Sequence, residues 1–139
     1  MDNFKIKLEL RIDWSEIDAF QHVNNLAILK YVQAARVNYL EKIGLMQLQA
    51  EKNIGPILAS INCQFCKPLF YPGQVTIYSN IDLIKNSSFR IQHQTYNDNH
   101  ELAAEAQDII VFYDFINDIK LTLPAEIRTN IETLEKQQL

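Results

Sequence analysis

The first third of the chain shows a change in the spacing of its apolar residues. Over residues 4–14 apolar and polar residues alternate strictly, and the apolar set is Phe4, Ile6, Leu8, Leu10, Ile12 and Trp14. Alternation with a period of two predicts a half-buried β-strand with one solvated face. Over residues 25–44 the apolar residues instead recur every three or four positions, which predicts an amphipathic helix of about 20 residues and roughly 30 Å. Asn24 or Asn25 can cap its start, and Gly44 can supply the left-handed residue that ends it.

The rest of the chain predicts strands joined by short polar turns. A polar connection, expected to be a loop, leads into an apolar run over residues 57–65 and then into alternating residues 75–83 and 89–96. Residues 102–115 form a last long strand, and Pro124 suits the first turn of a short final helix. Because the turns are short, consecutive strands are expected to pair as antiparallel hairpins.

These elements together predict the α+β class, with one long helix lying across a single curved antiparallel sheet of about five strands. Residues 1–139 are too few for two substantial cores, so we expect one domain. A single sheet around one helix leaves apolar faces and strand edges that need cover. We therefore expect a homodimer or a higher homo-oligomer, such as a homotetramer.

Composition and charge narrow the possible partners. Apolar residues make up 47% of the chain, and its net charge is −4 with no cluster of Lys and Arg, which argues against binding to nucleic acid. No apolar run is long enough to span a bilayer. The first residues, MDNFK, lack the apolar core of a signal peptide. We therefore expect a soluble cytoplasmic protein with no membrane partner.

Cys63 and Cys66 form a C-x-x-C pair. A structural zinc ion needs four ligands and no second Cys/His pair follows, while a redox pair would sit at the start of a helix. This pair lies in a strand-like stretch, where residues three apart point to opposite faces. Buried or half-buried thiols are the favoured interpretation, with a redox or metal role as the alternative.

The connection between the first strand and the long helix carries a concentrated set of polar residues. Glu16, Asp18 and His22 lie here, directly before Asn24 and Asn25. Free backbone N–H groups at a helix start carry partial positive charge and can stabilise a developing oxyanion. A carboxylate beside them can act as a nucleophile, or as a general base on water, while the amides polarise a carbonyl. This combination is suited to acyl transfer to water.

The same stretch carries a family resemblance. The sequence DWSEIDAFQHVNN at residues 13–25, followed by YVQAARVNYL at residues 31–40, resembles the opening of the 4-hydroxybenzoyl-CoA thioesterase-like family of the hot-dog fold. The usual pattern in that family is D-x-D-x-x-G-H-V-N-N-x-x-Y, and the order of strand, helix and antiparallel strands matches the fold across nearly the whole chain. The resemblance implies a hot-dog domain that hydrolyses an acyl-CoA or acyl-carrier-protein thioester without a metal or a prosthetic group. It also implies that a second subunit completes each acyl tunnel.

The resemblance assigns catalysis to Asp18, as base or nucleophile, and His22 is the second candidate catalytic residue. The backbone amides of residues 22–25 would receive the thioester carbonyl. The residues expected to contact the substrate here are Gln21, Val23, Asn24 and Asn25. Ser87 and Ser88 fall where related proteins approach the CoA arm.

Three residues depart from the family pattern: Glu16 stands for the commoner Asp, Gln21 for Gly and Ile28 for Tyr. A side chain at Gln21 is expected to alter the backbone approach to the substrate carbonyl. Asp18 has the alternative role of a favourable charge at a helix start. His22 is expected to hold the loop by hydrogen bonds rather than to transfer protons.

Other functions stay open at this point. A hot-dog hydratase of enoyl thioesters would need a histidine and a carboxylate facing each other across the tunnel, and His22, His93 and His100 are the available histidines. A dimer that binds acyl thioesters without turnover is the non-enzymatic alternative. Arg36, at the edge of the apolar stripe, is expected to form an internal ion pair rather than a substrate contact.

Overall fold

The computed structural model describes residue 4 and residues 6–136 of the 139-residue chain. Its strands are β1 (Ile6–Arg11), β2 (Ile54–Phe65), β3 (Gln74–Ile84), β4 (Ser88–Tyr96), β5 (Leu102–Asp114) and β6 (Ile119–Lys120). Its helices are α1 (Asn25–Lys42), α2 (Leu45–Lys52) and α3 (Ala125–Glu135). A short 3₁₀ turn, Trp14–Glu16, lies between β1 and α1.

The strands form one antiparallel sheet in the order β1-β3-β4-β5-β2, and β6 pairs with β5. Helix α1 packs on one face of this curled sheet and contacts β1, β3 and β4. The predicted α+β architecture of a long helix wrapped by an antiparallel sheet is therefore confirmed. The two-residue strand β6 is an addition that periodicity could not indicate. Within the described part of the chain no helix has the length and apolarity needed to cross a membrane.

Helix α1 begins where the sequence predicts. The side-chain oxygen of Asn24 accepts a hydrogen bond of 2.7 Å from the N–H of Ala27, as a helix cap does. The helix ends at Lys42, slightly before the predicted boundary, and Gly44 has the predicted left-handed conformation with φ of 88°. Its apolar stripe faces the sheet, so the buried residues set the orientation of the helix start.

The predicted loop after Gly44 is wrong, because residues 45–52 form helix α2. Leu45 is fully buried, and Met46 and Leu48 pack against the main apolar cluster. The remaining residues of this segment are mostly good helix formers, and packing of its few apolar side chains is enough to order a short helix.

Strand β1 is shorter than the predicted residues 4–14, and residue 5 of that range lies outside the described residues. Trp14, predicted on the buried face, is 73% exposed. The cause is a local turn: the Asp13 side chain accepts from the N–H of Ser15 at 3.0 Å, and Glu16 Oε1 accepts from the N–H of Asp13 at 2.8 Å. This capping box stops the strand and turns Trp14 outward.

The core consists of two apolar clusters along α1. The cluster under its C-terminal half includes Tyr39, Leu40, Ile81, Phe89, Ile110 and Phe112, and Ile127 and Ile131 of α3 close it. The cluster under its N-terminal half includes Ala27, Ile28, Tyr31, Ala35, Val75 and Ile77. The second cluster supports the start of α1 and the loop before it.

Strand β2 forms one edge of the sheet, because among the described strands it pairs only with β5. Several of its apolar side chains are solvent-exposed: Ile57 (40%), Leu58 (39%), Ile61 (39%) and Phe65 (47%). A long apolar edge strand exposes both its side chains and its unpaired backbone groups, so it can pair with an edge strand of another chain.

Candidate active site

The loop before α1 is closed at its base and carries Asp18 near its tip. At the base, the N–H of Asn24 donates to the carbonyl of Glu16 at 2.9 Å. Nearer the tip, the N–H of Asp18 donates to the carbonyl of His22 at 2.9 Å, and the N–H of Gln21 donates to the carbonyl of Asp18 at 3.1 Å. These backbone bonds hold the acidic residue in a fixed turn beside the helix start.

The two carboxylate oxygens of Asp18 have different surroundings. Oδ1 accepts hydrogen bonds from the N–H of Phe20 at 2.8 Å and from the N–H of His22 at 3.4 Å. None of the described residues donates a hydrogen bond to Oδ2. One oxygen therefore orients the group while the other stays available for chemistry.

Asp18 lines a cavity of about 530 Å³. Four other predicted site residues line the same cavity: His22, Val23, Asn24 and Asn25. The remaining lining residues are mostly apolar: Phe20, Leu26, Ile28, Phe65, Cys66, Lys67 and Pro68. The structure thus brings five of the eight predicted site residues together.

The start of α1 lines this cavity and carries backbone donors that the chain leaves free. Asn24 is occupied by the chain itself, because its Oδ1 caps Ala27 and its Nδ2 donates to the carbonyl of Glu16 at 2.9 Å. The backbone N–H groups of Asn25 and Leu26 have no acceptor among the described residues. They are first-turn amides, which carry the partial positive charge of the helix start.

The backbone carbonyl of His22 accepts from the N–H of Asp18, and the ring of His22 packs edge-on against Phe70 with centroids 5.2 Å apart. No described residue forms a hydrogen bond with its ring nitrogens. Its ring is therefore positioned by an aromatic contact rather than by a carboxylate partner.

Gln21, a predicted substrate contact, lies outside this cavity. It is exposed and does not line the cavity, so its side chain is not placed as a substrate contact. Its φ is 70°, a left-handed conformation that costs a non-glycine residue about 1–2 kcal/mol. The backbone here adopts the conformation that glycine would favour, so the expected alteration of the loop by this side chain is not seen.

Ser87 and Ser88 lie away from this cavity in the same chain. Ser88 begins β4 opposite Val111, and the carbonyl of Ser87 accepts from the N–H of Phe112 at 2.8 Å. The cavity lies at the other end of β5, near Ala103, which is about 25 Å along the strand from Val111. Within one chain the structure therefore does not bring these serines to the cavity, and their approach to the CoA arm stays a prediction.

The segment that follows β2 forms the opposite wall of the cavity. The N–H groups of Cys66 and Lys67 both donate to the carbonyl of Ala103, at 2.8 and 3.1 Å, and the N–H of Val23 donates to the carbonyl of Leu69 at 2.8 Å. These bonds tie the segment to β5 and to the Asp18 loop. The sequence marks this place only by Pro68, which ends the apolar run, and nothing local indicates that it meets the loop.

The two cysteines have different environments. Cys63 is half-buried, as expected, and burial, with the nearby Cys66 and Asp108, raises the pKa of its thiol. Cys66 lies just past β2 and is exposed, so the expectation of two covered thiols is wrong for this residue. Among residues 4 and 6–136, no three His, Cys, Asp or Glu side chains cluster as a metal site would require.

A second polar cluster is buried under the middle of α1. Asp108 Oδ2 accepts from Nε of Arg36 at 2.8 Å and lies 2.8 Å from Nε2 of His93, whose Nδ1 lies 2.7 Å from Oγ of Ser79. The ion pair predicted for Arg36 is thereby confirmed. Burial would raise the pKa of Asp108, but the hydrogen bonds from His93 and Arg36 hold it below its usual value. The side chains of His93 and Asp108 are wholly buried, so this Ser-His-Asp chain cannot meet a substrate.

The chain belongs to the thioesterase-like superfamily, whose family model matches residues 12–131. This match confirms the family that the residues around Asp18 resemble.

Individual relatives agree with this assignment. The chain is 25% identical over 132 residues to the long-chain acyl-CoA thioesterase FadM of Escherichia coli K12, covering 94% of this chain and 100% of that protein. A thioesterase of Thermus thermophilus, solved with coenzyme A and Zn, superposes over 100% of both chains with a TM-score of 0.88 and 24% identity. SAV2348 of Staphylococcus aureus, solved in complex with CoA, gives a TM-score of 0.88 at 11% identity over 96% of this chain and 85% of that one. These structures confirm the hot-dog fold.

Proposed function

We propose that this chain is an acyl-CoA thioesterase that hydrolyses an acyl thioester to a carboxylate and a free thiol. The observation that carries the proposal is the placement of Asp18 and the first-turn amides of α1 on one cavity of about 530 Å³. Membership in the thioesterase-like superfamily supports the same reaction class.

The reaction follows from the two kinds of group on the cavity wall. The thioester carbonyl oxygen accepts hydrogen bonds from the N–H groups of Asn25 and Leu26, which stabilise the negative charge that develops on it. Oδ2 of Asp18 either attacks the carbonyl carbon or takes a proton from a water that attacks it. Collapse of the tetrahedral intermediate breaks the carbon–sulfur bond, and the thiolate leaves and takes up a proton. In the nucleophilic route, water then hydrolyses the anhydride formed with Asp18.

The apolar lining suits a fatty or aromatic acyl group. Phe20, Leu26, Ile28 and Phe65 present hydrocarbon surface to the cavity, and the name of FadM specifies a long-chain acyl-CoA. We therefore favour a long-chain fatty acyl group, carried by CoA as part of the substrate. A cytoplasmic location, where acyl-CoA is made and consumed, remains part of the proposal.

A second copy of the chain would complete the site. If two β2 edges pair antiparallel about a two-fold axis, the Phe65 end of one strand lies beside the Ile54 end of the other. Ser88 pairs with Val111, and Val111 pairs with Ile57 near that second end. The pairing would thus carry Ser87 and Ser88 of one copy toward the cavity of the other, where the predicted contact with the CoA arm becomes possible.

The oligomer is tested by light scattering on a size-exclusion column. Ile61→Lys places a charge on the exposed edge strand and is expected to yield monomers with reduced thioesterase activity. Ile119→Lys, at another exposed isoleucine on the two-residue strand β6, is the matched control and should stay dimeric. A monomeric wild type would contradict this part of the proposal.

The activity is tested with butyryl-, palmitoyl- and benzoyl-CoA, followed by the loss of thioester absorbance and by product analysis. This readout avoids thiol reagents, which would also react with the exposed Cys66. Cleavage with release of CoA supports the thioesterase. Binding of acyl-CoA without cleavage would instead support the non-catalytic alternative.

The hydratase alternative gains no support from the geometry. Of the three histidines, His93 is buried against Asp108 and His100 lies in the exposed turn before β5. His22 shares its loop with Asp18 rather than facing it across the cavity. Hydration of crotonyl-CoA without thiol release would nevertheless establish that activity.

A further inference from the structure

Glu16 contacts helix α1 in two places. Its backbone carbonyl accepts hydrogen bonds from the N–H and from Nδ2 of Asn24, both at 2.9 Å. Its side-chain Oε1 accepts from the hydroxyl of Tyr31 at 2.6 Å and from the N–H of Asp13 at 2.8 Å. Tyr31 lies about two turns further along α1 than Asn24, so Glu16 ties the loop to the helix end and to the helix body.

Tyr31 is well suited to be the fixed partner. It is 4% exposed and belongs to the apolar cluster under the N-terminal half of α1. Long side chains of a helix lean toward its N-terminus, which brings the Tyr31 hydroxyl back to the loop. Burial and the hydrogen bond to Glu16 raise the pKa of Tyr31 well above its usual value, so the hydroxyl remains a donor.

The loop has few other side-chain ties to the body of the protein. The side-chain hydrogen bonds of Asp13 and Asp18 all end on residues of the loop itself. Among the described residues, the bond from Tyr31 to Glu16 is the one side-chain hydrogen bond that joins residues 13–22 to α1 beyond its first turn. Glu16 lies two positions before Asp18, so it governs where the Asp18 carboxylate stands relative to the helix-start amides.

We propose that Glu16 and Tyr31 form a positioning pair that fixes Asp18 against the first-turn amides of α1. The inference depends on the proposed thioesterase function. Neither residue touches the thioester: Tyr31 is buried in the core, and neither it nor Glu16 lines the cavity. The pair acts on the geometry of attack, to which catalysis is sensitive at the level of about 1 Å.

The Tyr31–Glu16 hydrogen bond would also form if it served only to stabilise the fold. A second tyrosine–glutamate bond in the protein provides a matched control for that role. Tyr39 lies on the same helix, is also buried, and donates its hydroxyl to the carboxylate of Glu135. It lies in the other apolar cluster, away from Asp18. Removal of either hydroxyl deletes one tyrosine–carboxylate bond, but only Tyr31 is connected to the loop.

The experiment measures kcat and KM for palmitoyl-CoA, together with Tm, for the purified full-length wild type and four variants. Tyr31→Phe and Glu16→Ala are expected to lower kcat about tenfold or more, because Asp18 loses its alignment. KM should change less than about threefold, since substrate contacts are intact. Glu16→Gln keeps an acceptor oxygen for Tyr31 and should retain kcat within about threefold. Tyr39→Phe is expected to lower Tm and leave kcat unchanged.

The inference is overturned if Tyr31→Phe and Glu16→Ala lower Tm in the manner of Tyr39→Phe while keeping the wild-type kcat. It is also overturned if Glu16→Gln is as slow as Glu16→Ala, since the charge rather than the hydrogen bond would then matter. If Glu16→Ala does not fold, Tyr31→Phe decides alone, because it removes a single oxygen. A wild type that cleaves no acyl-CoA would refute the proposed function itself, and active wild type with unaffected variants would refute only the positioning pair.

Discussion

The two ends of helix α1 use their polar groups in opposite ways. At the C-terminal end, the carbonyl of Ile43 accepts from Nδ2 of Asn130 at 3.0 Å, and the hydroxyl of Tyr39 donates to the carboxylate of Glu135. Helix α3 supplies both partners, so it closes that end. At the N-terminal end, the N–H groups of Asn25 and Leu26 have no acceptor among the described residues, and both residues line a cavity.

The difference shows how a site can be recognised on one helix. Both ends carry a buried tyrosine bonded to a glutamate, Tyr31 to Glu16 and Tyr39 to Glu135, so this bond alone does not mark function. The N-terminal end differs because the backbone N–H groups of Asn25 and Leu26 are unpaired and lie near the oriented carboxylate of Asp18. An unpaired backbone N–H is stable only where water or a ligand can accept its hydrogen bond, so this combination marks a functional site. The following predictions test that contrast, from the largest effect to the smallest.

Asp18→Asn is expected to have the largest effect, on activity alone. The amide keeps the shape and can still accept from the N–H of Phe20, but it cannot act as a base or a nucleophile. We expect kcat to fall by about 10²–10⁴-fold, measured as thioester loss with palmitoyl-CoA, while Tm stays near the wild-type value. A variant that cleaves as fast as the wild type would show that the N-terminal end of α1 is not the catalytic end.

Asp108→Asn should have the largest effect on stability, under the middle of α1. The change leaves the guanidinium of Arg36, whose side chain is 12% exposed, without its charged partner. We expect the free energy of unfolding to fall by about 3 kcal/mol, measured by urea denaturation at neutral pH.

The Asp108→Asn variant also tests how the stability of the protein depends on pH. The folded pKa of Asp108 is lowered from its ordinary value of 3.8, so the carboxylate contributes stability above about pH 4 that is lost as pH falls through the folded pKa. The stability difference between wild type and Asp108→Asn should therefore be constant near neutrality and shrink below about pH 4. A difference that stays constant into strong acid would contradict the ion pair.

The two amide caps of α1 offer a direct comparison of its ends. Asn24→Ala and Asn130→Ala each remove a side chain that satisfies a backbone group at one end. Each should lower the free energy of unfolding by about 1 kcal/mol. Only Asn24→Ala should also lower kcat, because Asn24 holds the carbonyl of Glu16. Equal kcat in the two variants would remove the distinction between the ends.

Gln21→Gly should have the smallest effect. Glycine adopts a φ of 70° without steric cost, although it loses more freedom on folding, so we expect a net stabilisation of about 0.5 kcal/mol. The side chain does not line the cavity, so kcat should be unchanged. A large rise in kcat would show that Gln21 obstructs the loop after all.

The sequence by itself determined the features whose causes are local. Asn24 indicates the helix start because its side chain caps an amide three residues away, and apolar periodicity predicts α1 and the strands. The resemblance singles out Asp18, His22 and Asn25, and all three line one cavity because they lie within a few residues of the same helix start. These interactions depend on neighbours in the chain, which a sequence displays directly.

Only the tertiary structure decided the rest, because contacts between distant residues depend on strand order and register. Arg36 meets Asp108, and Cys66 reaches the cavity, through pairings that no local pattern encodes. In β3 a register shift between Ile81 and Leu83 leaves Leu83 37% exposed and buries Ile84, against the simple alternation. A shift of one residue exchanges the two faces of a strand. Packing of the whole sheet therefore decides which residues beyond such a bulge face the core and which face solvent.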